Sequence, residues 1–245
     1  MERIRYSVEG GVAELRMDDG KVNAIQPDWC GELVAALDRA EADRDTAVVL
    51  LFGRPGCFCA GLDRKLLPTL GPAVLKDSMQ RFVSAMERVF LFPKPVLAAS
   101  AGHALAAGLM LYLASDLRLA VDDADSRYGL PEVSQGIPLI GPTAAICAAG
   151  IPRERQPELM FHGRQLNART AHEWGLVHEL AGSGEALEAR AFERARALCA
   201  LDLTAYRATK RALRAPILEQ GRAAAEGVLG DVPTGNPFRT SGRSP

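Results

Sequence analysis

Two glycine-punctuated loops concentrate this chain's chances for chemistry. Gly102-His-Ala-Leu-Ala-Ala-Gly108 follows the apolar run Lys94-Pro-Val-Leu-Ala-Ala-Ser100 and leads directly into Leu109-Met-Leu111. Gly53-Arg-Pro-Gly-Cys-Phe-Cys-Ala-Gly-Leu-Asp-Arg-Lys65 follows a second apolar run that ends at Phe52. Between Ser100 and Ser115 the one side chain that titrates near neutrality is His103, and it reads as a polar residue bonded to backbone rather than as a base. A site here must therefore work through its main chain. A loop that opens a helix presents N–H groups without intrahelical partners, and glycine lets the backbone turn sharply and approach a ligand. Two such N–H groups aimed at one point form an oxyanion hole. Neither a G-x-G-x-x-G nor a G-K-[ST] pattern is present, so the glycines do not read as a nucleotide-phosphate cradle.

The elements around these loops must bring them together. Val12–Met17 alternates as a strand does, and Asp18-Asp-Gly-Lys21 makes a turn. Pro27 opens a helix with Trp29, Leu33, Leu37 and Ala40 on one face. Ala47–Phe52 is continuously apolar, the signature of a strand covered on both faces. Leu75, Met79, Phe82, Val83, Met86, Val89 and Phe90 mark a second helix, stopped before Pro93. Val96–Ser100 reads as a strand, 106–115 as a helix and Leu117–Val121 as a strand. This alternation predicts an α/β fold with a parallel sheet, and loops at the carboxyl ends of neighbouring parallel strands share one rim. From Gly141 the pattern turns helical, over 142–149, 153–161, 168–174, 185–200 and 203–214.

The 245 residues read as an α/β core over 1–200, a helical region over 201–230 and a disordered tail over 231–245. Lysine and arginine number 29 against 30 acidic residues, a net charge of −1, which excludes a general polyanion or nucleic-acid binder. Val96–Ala114 is nearly charge-free and about long enough to span a bilayer. Pro95, Gly102 and Gly108 divide it into a buried strand, loop and helix instead, so no membrane partner is expected. Five cysteines lack a disulfide or zinc spacing, the N-terminus lacks a signal-peptide core, and His162, His172 and His178 lie at no ligand spacing. Free thiols, a cytoplasmic location and no metal are the expectation.

The motif Cys57-Phe-Cys-Ala-Gly-Leu-Asp63 followed by Lys94-Pro-Val-Leu-Ala-Ala-Ser-Ala-Gly-His-Ala-Leu-Ala-Ala-Gly108 resembles the crotonase (enoyl-CoA hydratase/isomerase) superfamily. Lys21-Val-Asn-Ala-Ile25, Ser115-Asp-Leu-Arg-Leu119, Tyr128-Gly-Leu-Pro-Glu-Val133, Phe161–Ala168, Glu173-Trp-Gly-Leu-Val177 and Thr209-Lys-Arg-Ala-Leu213 extend the likeness in order along residues 3–214. The resemblance implies a spiral of ββα repeats with a helical C-terminal region, assembled as a homotrimer or a dimer of trimers. It implies an acyl-CoA thioester whose enolate is held by the backbone N–H groups of Leu62 and Ala107. Coenzyme A is then part of the substrate, and no cofactor is bound permanently. Ala60, Asp63, Arg64, Lys65, Gly108 and Lys210 are the positions at which the likeness implies contact with it. Ala106-Ala107 stands where many relatives carry Gly-Gly, which narrows the expected acyl pocket.

Hydratases of the family use two glutamates around the substrate double bond. The position of the first is Met110 here, and that of the second is Glu132. With one carboxylate the resemblance implies a Δ3/Δ2-enoyl-CoA isomerase. Glu132 would take a proton from C2 and return it at C4, its pKa raised by apolar surroundings. Two alternatives stay open: a hydratase-like lyase acting on another acyl-CoA, and a non-catalytic acyl-CoA-binding member. Asp116 reads as a structural hydrogen-bonding group.

Overall fold

Val48, Leu50 and Phe52 belong to one buried cluster while Val49 and Leu51 belong to another, so a single five-residue strand feeds apolar layers on both of its faces. The computed structural model, which describes residues 3–228, builds the fold around this arrangement. Strands β1 (Ile4–Glu9), β2 (Val12–Met17) and β3 (Ala24–Ile25) precede helix α1 (Pro27–Ala42). Strands β4 (Val48–Phe52), β5 (Gly56–Cys59) and β6 (Gly61–Leu62) precede α2 (Pro72–Phe90). Strands β7 (Val96–Ser100) and β8 (Gly102–Leu105) lead into α3 (Ala107–Ala114), and β9 (Leu117–Val121) and β10 (Tyr128–Gly129) into α4 (Gly141–Gly150). The chain ends with β11 (Gln165–Leu166), α5 (Ala168–Glu173), β12 (Glu179–Ala181), α6 (Gly184–Leu198) and α7 (Leu203–Val228). The repeating pair of strands followed by a helix is the expected spiral.

Six strands form the main sheet in the order β1-β2-β4-β7-β9-β12, parallel except for the β1–β2 pair. One face packs on α1, α2 and α3 through residues such as Leu15, Leu51, Ala98 and Met86. The other is closed by α6 through Leu187, Ala191 and Ala195. A second sheet, ordered β11-β10-β8-β5, stands at the carboxyl rim of the first. Its strands are two to four residues long, too short to carry a legible period.

Over 96–114 the expected strand and helix are present and nearly all buried, and the segment expected as a loop between them is itself a short strand, Gly102–Leu105. Among the described residues no helix is long and apolar enough to cross a membrane. Two helix expectations need correction. Residues 153–161 form a 3-10 turn over Arg153–Arg155 and then a single π turn over Pro157–Phe161. The helix expected over 203–214 runs on to Val228 with Pro216 inside it. Proline removes one helical hydrogen bond, and anchors on both sides hold the helix through it. Lys210 Nζ and Arg214 meet the Asp116 carboxylate at 2.7 and 2.8 Å, and Arg222 meets Glu87 at 2.7 Å. The tail expected over 231–245 lies outside the described residues.

Candidate active site

The two loops meet at the start of α3. Strands β4 and β7 are parallel neighbours, so the segments that leave them emerge on one rim, and β5 and β8 then pair in parallel. The closeness is set by missing side chains. A Cβ on Gly108 would lie 2.0 Å from the Cys59 carbonyl oxygen. A Cβ on Gly61, where φ is +94°, would lie 2.9 Å from Ala106 Cβ, 2.9 Å from Leu105 O and 3.1 Å from Ala107 N. The first loop therefore lies directly over the first turn of α3, with Leu62 next to that contact.

Ala107 and Gly108 are the first two residues of α3, and the first bonds within its turn are donated later. Leu109 N and Met110 N donate to Ala106 O at 2.9 and 3.1 Å. Lying in the first turn of α3, the Ala107 N–H has no partner within the helix. Ala106 reaches this arrangement at φ 51° and ψ −128°, a region suited to glycine, at a cost of about 1–3 kcal/mol. Its own N–H is fixed on Gly129 O at 2.9 Å.

Gly129 ends β10, which pairs in parallel with β8 (Tyr128 with Ala104, Gly129 with Leu105), and the chain continues through Leu130 and Pro131 to Glu132. Glu132 is 6 % exposed, and its Oε2 has no hydrogen-bond partner among the described residues. Burial pushes its pKa up from 4.5 to about 7. A buried carboxyl oxygen without a partner is a poor structural group and a well-tuned proton carrier. Met110, one turn into α3, is 5 % exposed and brings no charge.

The remaining expected residues divide by role. Arg64 and Lys65 are exposed on the loop just past Leu62, open to an anionic ligand. Ala60 is half-buried and its N–H donates to Val22 O at 3.0 Å. Asp63 is occupied by the chain itself: Gln26 Nε2 donates to Oδ2 at 2.8 Å, and the Lys65 and Leu66 amides donate to Oδ1 at 2.9 and 3.0 Å. Burial works against its charge, yet these donors outweigh it and hold the pKa below the usual carboxylate range.

Lys210 also departs from expectation. Its side chain is 5 % exposed and its ammonium is committed to Asp116, so its charge serves to seat α7 rather than to meet a phosphate. Burial, only partly offset by Asp116, lowers its pKa to about 8. Asp116 is the structural group anticipated: it also accepts from Val96 N at 2.7 Å. His103 fits its reading too, since its Nδ1 accepts from Arg127 N at 3.0 Å. No group of three or more His, Cys, Asp or Glu side chains suited to a metal occurs among the described residues.

One supporting residue escaped the sequence reading. Asn23 is buried at φ 52° and its Nδ2 donates to Met17 O and Phe58 O at 2.9 and 3.0 Å, which holds the first loop in place. Its position after the Asp18-Asp-Gly turn was the available signal, because asparagine tolerates positive φ and bonds its own turn.

Comparison with known proteins bears on the family and the fold. The family model for enoyl-CoA hydratase/isomerase matches residues 7–231. A Thermus thermophilus protein provisionally named enoyl-CoA hydratase is 34% identical over 184 residues, 74% of this chain and 72% of its own. An enoyl-CoA isomerase of Mycobacterium tuberculosis superposes with a TM-score of 0.84 at 30% identity, over 94% of this chain and 99% of its own. An enoyl-CoA hydratase of Mycobacterium marinum does so with a TM-score of 0.83 at 27% identity, over 94% and 100%. With the family's fold and motifs both in place, this chain belongs to the crotonase, or enoyl-CoA hydratase/isomerase, superfamily.

Proposed function

We propose that the protein is a Δ3/Δ2-enoyl-CoA isomerase in which Glu132 is the sole acid–base group. The thioester oxygen of a 3-enoyl-CoA is received by the Leu62 and Ala107 N–H groups. The Glu132 carboxylate removes a proton from C2, and the C–H electron pair enters the C1–C2 bond while the carbonyl pair moves onto oxygen. The resulting dienolate is stabilised where its charge is largest. Glu132, now protonated, delivers that proton to C4. The C3–C4 pair takes it up, the double bond settles between C2 and C3, and the carbonyl re-forms. Coenzyme A enters and leaves as part of the substrate, with Arg64 and Lys65 exposed on the loop beside the thioester site.

The observation that carries this reading is the buried, unpartnered Glu132 carboxyl on the segment tied to the α3 start, with Met110 where a second carboxylate would be needed. Glu132→Gln is expected to lower kcat for double-bond migration by about 10²–10⁴-fold with acyl-CoA affinity nearly unchanged. Retention of most of the activity overturns the assignment. Relatives named as hydratases favour a second reading, addition of water to a 2-enoyl-CoA. An assay for 3-hydroxyacyl-CoA formation by the unmodified protein separates the two.

A further inference from the structure

The first half of α7 carries four cations, and only two of them are answered. Lys210 and Arg214 reach the Asp116 carboxylate. Arg207 and Arg211, one helical turn apart, are exposed and have no ion pair or hydrogen bond among the described residues. Like charges at this spacing weaken a helix, and they sit in the half of α7 nearer the end where the helix dipole favours negative charge. Both line a cleft of about 490 Å³, a size that admits a small molecule. The rest of its lining comes from the ends of α1 and α2 and the turn after α2: Glu41, Arg88, Leu91 and Pro93. Glu41, the one acid among these, is taken up by Arg88, which also meets Asp38 at 2.8 Å. The negative charge in the wall is thus committed to Arg88, and the two α7 guanidiniums stay unmatched.

We propose that this cleft is a second ligand site, for a small molecule that carries two adjoining phosphoryl groups. Guanidinium forks donate paired hydrogen bonds to phosphoryl oxygens, and two such groups supply the negative charge that Arg207 and Arg211 lack. Leu91 and Pro93 give the remainder of the ligand an apolar wall. The cleft is separate from the thioester site. Pro93 and Asp116, to which α7 is anchored, come just before β7 and β9, at the amino ends of two parallel strands. Leu62 and Ala107 follow the carboxyl ends of β4 and β7, on the opposite rim of the sheet. The inference does not rest on the isomerase reading.

Isothermal titration calorimetry in about 150 mM chloride, where long-range attraction is screened, tests it with ADP as the probe. ADP is expected to bind with a Kd on the order of 10–100 μM, and AMP at least about fivefold more weakly. The double variant Arg207→Gln with Arg211→Gln is expected to weaken ADP binding by at least about thirtyfold. Its melting temperature without ligand should stay within about 3 °C of the unmodified protein, and its affinity for hexanoyl-CoA within about twofold. The charge-matched pair Arg64→Gln with Lys65→Gln, on the opposite rim, is expected to leave ADP affinity within about twofold. Pyrophosphate that binds within about fivefold of ADP identifies the inorganic anion as the source, and a larger preference for ADP identifies a nucleotide; either result supports the site. No ADP binding below about 1 mM, adenosine binding as well as ADP, or unchanged ADP affinity in the 207/211 variant overturns it. So does a larger drop in that variant's melting temperature, which would make the two arginines part of the fold. Equal losses of ADP and hexanoyl-CoA affinity in that variant, or loss of ADP binding in the 64/65 variant, place the phosphoryl contacts in the acyl-CoA site and also overturn it.

Discussion

The Ala106 N–H donates to the Gly129 carbonyl at 2.9 Å, and that single bond couples the residue before Ala107 to the segment that delivers Glu132. The proposed base and the proposed amide donor thus share one piece of scaffold, three residues from Gly129 on one side and one residue from Ala106 on the other. The relative placement of the two is set by β8–β10 pairing rather than by a flexible loop.

Activity should follow the ionisation of Glu132. A base must be deprotonated, and burial places its pKa at about 7. In the free protein kcat/KM for a 3-enoyl-CoA is therefore expected to rise with pH and level off above a midpoint near 7. A midpoint below 5, in the range of an ordinary glutamate, would show that another group carries the proton.

Stability should register the same group with the opposite sense. The folded state binds the Glu132 proton more tightly than the unfolded chain, so its contribution is present below pH 4.5 and is lost as pH rises through about 7. The displacement corresponds to about 3 kcal/mol. Glu132→Gln is expected to be more stable than the unmodified protein at pH 8, with the advantage shrinking toward pH 5. Urea titrations at the two pH values test this; a pH-independent difference would refute the buried-charge account.

His178 should act in the other direction. Arg118 N donates to its Nδ1 at 3.0 Å, and the Arg118 guanidinium lies 2.9 Å from its Nε2. Burial, then the charge of Arg118, lower its pKa from 6.5 to about 4. The unfolded chain takes up this proton first, so stability is lost as pH falls from 6.5 toward 4. In His178→Gln that part of the acid-side loss should be gone from thermal melts taken across this range. If the acid limb is unchanged, the Arg118 contacts do not exclude the proton.

Restoring a carboxylate at position 110 should change the outcome of the reaction. Met110→Glu is expected to give measurable water addition to a 2-enoyl-CoA and a reduced isomerisation rate. Two carboxylates sharing one dry site should also move the activity midpoint above 7. Product analysis by chromatography reads both changes. A folded Met110→Glu protein with no 3-hydroxy product would mean that more than this side chain separates the two chemistries.

Before Pro216, both ion pairs that seat α7 meet at one acid. The Asp116 carboxylate receives Lys210, Arg214 and Val96 N. Asp116→Asn leaves a buried ammonium without its counter-charge, at a cost of about 3–5 kcal/mol in a denaturant titration. The double variant Asp116→Asn with Lys210→Met should recover part of that loss. A cost under 1 kcal/mol for the single variant would place the anchor elsewhere.

The parts of this fold that announced themselves were those with a period or a long apolar run. Trp29, Leu33, Leu37 and Ala40 marked α1 and are all buried, and β4 stood out as an unbroken apolar segment, with β7 and β9 as short, largely apolar runs. The second sheet did not, because Tyr128-Gly129 and Gln165-Leu166 are strands only by virtue of their neighbours. The last helix was expected to end at residue 214, although ion pairs on both sides of Pro216 carry it on. Within the site, residue types located the two loops, but whether a charged side chain was free or occupied depended on tertiary partners. Asp63 and Lys210 looked like ligand contacts and prove to be held by Gln26 and Asp116.

Where Gly108 lies against Cys59, 2.0 Å separates a hypothetical carbon from an existing oxygen, so no residue with a side chain fits there. The contact between the first loop and the start of α3 is thus frozen at its centre, and side chains can vary only around its edge, at positions such as 110 and 132. On the proposed reading, a scaffold built this way lets the fate of the captured intermediate diversify while the means of capture stays the same.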